Sequence, residues 1–148
     1  MQEIKKDPLY LFIKDRESVI RNKLPLLYFS GEDDNPASFL SLSPQEKTTL
    51  VAWVLNTLVK GKSINTDITS YGIKHLFDKP LNGFYVKNGV MKGAMLIAGF
   101  TTDNIKQRNW SFNVAEASYK NVHRTNAHTR YINLFKNRLP NKGKVSLS

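Results

Sequence analysis

In 148 residues the chain carries 22 Lys plus Arg against 12 Asp plus Glu, a formal charge of +10, with 41% apolar and 11% aromatic residues. That length suits one domain, and that apolar content suffices for a packed core, which excludes a wholly disordered chain. The lack of cysteine excludes a disulfide framework, thiol catalysis and thiolate metal sites. The charged start Met1 to Pro8, with no apolar run near the roughly 20 residues that span a bilayer, points to a cytoplasmic protein with no membrane partner.

From Pro8 to Asn22 the apolar residues Leu9, Leu11, Phe12, Ile13, Val19 and Ile20 recur at helical spacing, and Asp7 before Pro8 fits an N-cap with proline at the first helical position. Leu24 to Phe29 reads as an extended piece. The Gly-, Asp-, Asn- and Pro-rich stretch Ser30 to Ser38 reads as an exposed acidic loop and internal linker. Ser43 and Glu46 form a capping box ahead of a second helix, whose Leu50, Trp53, Val54, Leu55 and Leu58 make a stripe that must be buried until Gly61 ends it. Ser70 or Asp67 caps a short helix with Tyr71, Ile73, Leu76 and Phe77 inward and Lys74 and His75 on the other face, closed by Pro80.

Gly83 then permits a turn, Phe84 to Val86 is prone to extend, and Asn88 caps a third helix over Gly89 to Ala98 that stops at Gly99. Gly89, Gly93, Ala94 and Ala98 on that helix admit either a neighbouring helix or a phosphodiester backbone at close range. Asn109 to Val114 alternates Trp110, Phe112 and Val114 with Ser111 and Asn113, the period of a half-buried strand. Paired with Phe84 to Val86 it makes a ribbon whose wing carries Lys106 and Arg108. Thr125 to Leu139 is a basic amphipathic helix, stopped by Pro140, that fits either a core or dimer face with a charged outer side or direct contact with phosphates or an acidic protein.

The expected fold class is therefore α+β and mainly helical: a winged-helix-like unit, a helix-turn-helix with a small β-ribbon, plus N-terminal and C-terminal helices. A single domain over 1–148 holds a helical part (1–62), the winged-helix-like core (63–116), the basic helix (117–140) and a polar tail (141–148).

Charge is divided unevenly along this frame. Up to Asp78 there are 10 basic and 10 acidic residues; beyond it 12 basic residues face only Asp103 and Glu116. A surplus confined to one half makes a directional field that concentrates polyanions, so nucleic acid is the expected partner, with DNA first and RNA second. Lys87, Asn88 and Lys92, at or near the entrance of the third helix, are the candidate phosphate contacts. Lys106, Arg108, Lys120, Arg124 and Arg130 extend the footprint. Asn109, Trp110, Phe112, Asn113, Tyr119, Asn121 and Asn126 supply stacking faces and amides in the same region.

Catalytic chemistry finds no foothold. His123 and His128 are five residues apart, off a common helical face and flanked by Arg124 and Arg130, which opposes a zinc site. His75 beside Lys74 fits a hydrogen bond or solvent better than a general base, and Glu32, Asp33 and Asp34 fit a solvated loop better than a metal-dependent nuclease centre. With no nucleophile elbow, Walker loop or dinucleotide fingerprint, the expectation is a protein that is not an enzyme and takes no cofactor or metal.

Within Asn65 to Val114 the strings N-T-D-I-T-S-Y-G-I-K-H-L-F, G-F-Y-V-K-N-G-V-M-K-G-A-M-L-I-A-G-F and N-W-S-F-N-V resemble small uncharacterised proteins of bacterial mobile elements: phage, plasmid and pathogenicity-island proteins of low-GC Gram-positive bacteria. The resemblance covers about a third of the chain and brings no catalytic role with it. It implies a setting in replication, regulation or counter-defence. The last gives the alternative expectation, an effector that binds a host defence nuclease such as a CRISPR complex.

Overall fold

The computed structural model describes residues 7–23, 32–78, 83–103 and 105–122. The expected extended piece at 24–29 and the expected basic helix at 125–139, together with Arg124, Arg130, His123 and His128, lie outside them.

Helix α1 (Pro8–Lys23) begins where its sequence dictates, with the Leu9 amide donating to Asp7 Oδ1 at 2.8 Å. Leu9, Phe12, Ile13 and Ile20 are buried, whereas Leu11 is half exposed because two residues after Leu9 it points to the opposite side of the helix. Helix α2 (Pro44–Thr57) carries the capping box: the Glu46 amide donates to Ser43 Oγ at 3.1 Å, and the Ser43 amide donates to Glu46 Oε1 at 2.9 Å. Every residue from Leu50 to Leu55 is buried, so α2 is a core helix.

Three shorter helices follow: α3 (Ser70–Asp78), α4 (Asn88–Ile97) and α5 (Ser118–Val122). Helix α4 is central, packed against α1, α2, α3 and the 3-10 helix Pro36–Ser41. Gly89 and Gly93 lie one turn apart on its face toward that 3-10 helix. A Cβ on Gly89 would collide with the Asn35 carbonyl, and one on Gly93 would stand 2.7 Å from Pro36 O and closer still to Phe39 Cβ. The close neighbour that the small residues admit is thus this chain's own backbone. Arg16 closes the other end of α4, its Nε donating to Ile97 O at 2.7 Å and its Nη2 to Leu96 O at 3.1 Å, while Gly99 takes a left-handed φ of 98° to end the helix.

The winged-helix expectation is overturned. The described residues are mainly helical and contain no strand or sheet, only two isolated antiparallel bridges, Lys60 to Val114 and Thr69 to Ser111. Trp110, Phe112 and Val114 are buried in alternation as the pattern requires, but their backbone bonds go to the irregular chain before α3, not to Phe84–Val86. The amides of Gly61, Asn65 and Ser70 donate to the carbonyls of Asn113, Phe112 and Trp110, and the Ala115 amide donates to Val59 O. Side chains take further positions of the missing ladder: Trp110 N–H donates to Ser70 Oγ and Thr101 N–H to Asn113 Oδ1. A period of two reports which side of an extended segment is buried; it does not name the partner. Lys106 and Arg108 accordingly sit in a turn and not in a wing.

Residues 32–41 also differ from the exposed linker expected there. They form the 3-10 helices Glu32–Asp34 and Pro36–Ser41, with Asn35 Oδ1 capping the second from 2.9 Å and with Pro36 and Phe39 buried.

Candidate binding cleft at the entrance of α4

An open cleft of about 330 Å³ lies where four pieces of chain meet: Asp33 and Asp34 of the first 3-10 helix, Tyr71 and Lys74 of α3, Tyr85, Lys87 and Asn88 leading into α4, and Arg108 with Asn109. That volume is at the lower end of the roughly 300–1,000 Å³ of small-ligand sites.

Asp34 organises the floor. Its Oδ1 accepts from Asn88 Nδ2 at 3.0 Å, its Oδ2 accepts from Arg108 Nε at 3.1 Å, and its carbonyl accepts from Lys92 Nζ at 2.8 Å. Asn88 Nδ2 also reaches Arg108 O at 3.1 Å and Asn109 Oδ1 at 3.0 Å. All three partners are acceptors, which fixes the amide orientation. Asn88 Oδ1 is left buried with no protein group donating to it, a state that costs ~1–3 kcal/mol.

Lys92 is fully buried, with its ammonium 4.7 Å from the Trp110 ring centroid. Loss of hydration lowers its pKa from the ordinary 10.5 to about 8; the Asp34 charge opposes that shift and Arg108 adds to it.

The rim is aromatic and charged. Tyr85 is 73% exposed and Tyr71 49%. Lys74 Nζ stands 4.5 Å from the Tyr85 centroid and 5.8 Å from that of Tyr71, and binds Asp78 at 2.9 Å. Lys74 was expected on the outer face of α3 and Tyr71 on the inner one; the structure reverses them. The Asp78 carboxylate one turn along and the two rings give the lysine stem and head a buried seat, while Tyr71 turns edge-on to His75.

Of the residues singled out from sequence, Lys87, Asn88, Arg108 and Asn109 line the cleft together. Asn88 is the first helical residue, not the cap, and Lys87 occupies the cap position with no side-chain bond to the helix. Lys92 lies behind Asp34, out of reach of a ligand. Lys106 and Lys120 are exposed, in the 105–109 turn and on α5, and neither lines the cleft. Sequence reasoning missed Tyr71, Lys74, Tyr85, Asp33 and Asp34 as cleft residues. The available signal was the i, i+4 pair Lys74 and Asp78, which shows that the lysine has a partner on its own helix.

The cations of the cleft do not form an uncompensated patch: Lys74 is beside Asp78, Lys87 is 3.5 Å from Asp33, and Arg108 binds Asp34. The last two pairs are exposed on their basic side, and such pairs contribute about 0–1 kcal/mol, so a phosphate oxygen can replace the carboxylate. Among the described residues no group of His, Cys, Asp or Glu is placed to hold a metal ion, and no helix is long and apolar enough to cross a membrane.

Compared with protein-family models, with curated proteins and with solved structures, the chain finds no match.

Proposed function

We propose that the protein binds nucleic acid, DNA in the first place, and takes an unpaired base of a single strand into the tyrosine cleft, serving the regulation or replication of a mobile element. The observation that carries this reading is the rim: Tyr71 and Tyr85, both exposed, line a single cleft with the exposed cations Lys87 and Arg108. Exposed rings flanked by cations are the combination that stacks bases and tracks a phosphate backbone without a groove-reading helix. The surplus of basic residues beyond Asp78, with Lys106 and Lys120 exposed, supports the same partner at longer range.

Fluorescence anisotropy with labelled single-stranded DNA, single-stranded RNA and duplex DNA tests it. Two exposed cations, Lys87 and Arg108, on a single strand release counterions with a logarithmic slope of about −1.4, so a fourfold rise in salt weakens binding about 7-fold. Tyr85→Ala weakens single-strand binding by on the order of 10-fold, the loss of one stacked base. Affinity that ignores salt, or a Tyr85→Ala protein that binds as tightly as the parent, rejects the reading.

A further inference from the structure

Asp33 is an anomaly in a cleft that receives phosphate, since its carboxylate repels the ligand that the lysines attract. Its side chain is 78% exposed and meets Lys87 Nζ at 3.5 Å, longer than a good hydrogen bond, whereas its neighbour Asp34 is spent on Asn88 and Arg108. An accessible carboxylate is an acceptor with two oxygens side by side, and it suits a partner with two adjacent N–H donors. Among the bases, guanine alone presents such a pair on its Watson–Crick edge, N1–H and the N2 amino group. Adenine and cytosine set one amino group beside a ring nitrogen with a lone pair, and thymine sets its N–H between two carbonyls, so each offers the carboxylate a repulsive neighbour.

Resting on the reading of the cleft as a nucleic-acid site, we propose that it selects guanine: the base lies on Tyr85 and donates N1–H and N2–H to the Asp33 carboxylate, while the phosphate turns to Lys87 and Arg108. Selection and charge are coupled in this arrangement. Once guanine takes the place of Lys87 on Asp33, that ammonium is turned toward the phosphate, so the carboxylate disfavours every base except the one that occupies it.

The test uses the full chain and labelled thymidine oligomers that differ in one central base: guanine, adenine or hypoxanthine, which keeps N1–H and lacks the amino group. Guanine is expected to bind about tenfold tighter than adenine, the discrimination of one bidentate contact, with hypoxanthine between them. Asp33→Asn removes a negative charge and so tightens the set as a whole, but brings the guanine-to-adenine ratio below about twofold; its exposed position leaves the fold intact, checked by circular dichroism. Equal affinities in the parent, or an undiminished ratio in Asp33→Asn, overturn the selection. If all oligomers bind alike and Tyr85→Ala weakens them all, the nucleic-acid reading stands and guanine selection falls. If none binds, both fall.

Discussion

Lys92 offers the sharpest physical test of the fold, because a charged group with no exposed surface must show itself in the pH dependence of stability. Its ammonium donates to Asp34 O at 2.8 Å and faces Trp110 at 4.7 Å, yet burial still brings its pKa to about 8 from 10.5. The native state therefore loses this proton earlier than the unfolded chain as pH rises. Where the unfolded state holds more protons, unfolding free energy increases with pH, so Lys92 makes the protein more stable between about pH 8 and 10.5. Below pH 8 both states are protonated and the native state bears the whole cost of the buried charge.

Integrated from pH 7 to pH 10, the gain is between about 2 and 3 kcal/mol. Lys92→Met keeps the unbranched shape of the side chain, one atom shorter, and removes the titration. Urea unfolding of both proteins at pH 7, 8.5 and 10 separates Lys92 from the other groups that titrate in this range, since those appear in both. The parent-minus-variant difference is expected to rise by that amount across the series. A difference that stays level within about 0.5 kcal/mol refutes the account of Lys92 as a buried cation, because the extrapolation error is smaller than the predicted rise.

Three further outcomes follow from named contacts. Glu17 is fully buried with Lys47 Nζ at 2.6 Å and Lys14 at 3.3 Å; burial alone raises its carboxyl pKa, but the two lysines outweigh it and hold it below the ordinary value of 4.5. Lys47→Met removes the shortest of these contacts and leaves Lys14 and Arg21, at 3.3 and 3.6 Å, to compensate the carboxylate, so it is expected to lower stability by ~1.5–3 kcal/mol in urea unfolding at pH 7. Stabilisation from Glu17 is present above the unfolded carboxyl pKa and lost as pH falls through the lower native one, so Glu17→Gln flattens the acid limb of a stability profile below the ordinary carboxyl value of 4.5. Gly93→Ala places a methyl against Phe39 and Pro36 O and is expected to cost ~1–3 kcal/mol, whereas an exposed helical glycine replaced by alanine would gain about 1; the sign of the change in urea midpoint decides between the two.

Local signals were legible in the sequence, and long-range partners were not. The Asp7 turn, the Ser43 and Glu46 box, the stripe of α2 and the stop at Gly99 all involve residues within four positions of one another, where spacing fixes geometry. The alternation of Trp110, Phe112 and Val114 reported burial correctly, but the backbone partners at 59–70 lie about 40 to 55 residues away, and several ladder positions are filled by side chains of Ser70 and Asn113. The cleft was half visible. Lys87 and Asn88 stood out at the start of α4, while the loop that supplies Asp33 and Asp34 looked like solvated punctuation. Its packing depends on two distant glycines, which no local pattern in residues 30–38 reveals. Tyr71 was placed inward because an aromatic at a helical apolar position usually is; Lys74 displaced it once Asp78 and two rings were at hand.

At the contact of α4 with residues 35–39, Gly89 and Gly93 contribute no side chain, and the Asn35 carbonyl, Pro36 O and Phe39 Cβ take the space that theirs would fill. Where two main chains meet directly there is no rotamer to absorb an error, so helix and turn shift as one body and Asp34 keeps its register on Asn88 and Lys92. Latitude for sequence drift is consequently uneven around the cleft. The seam beneath it admits almost no replacement, whereas Tyr85 and Asp33 on the rim stand on a rigid footing and are open to exchange, so a new preference for ligand could arise by changing the rim alone.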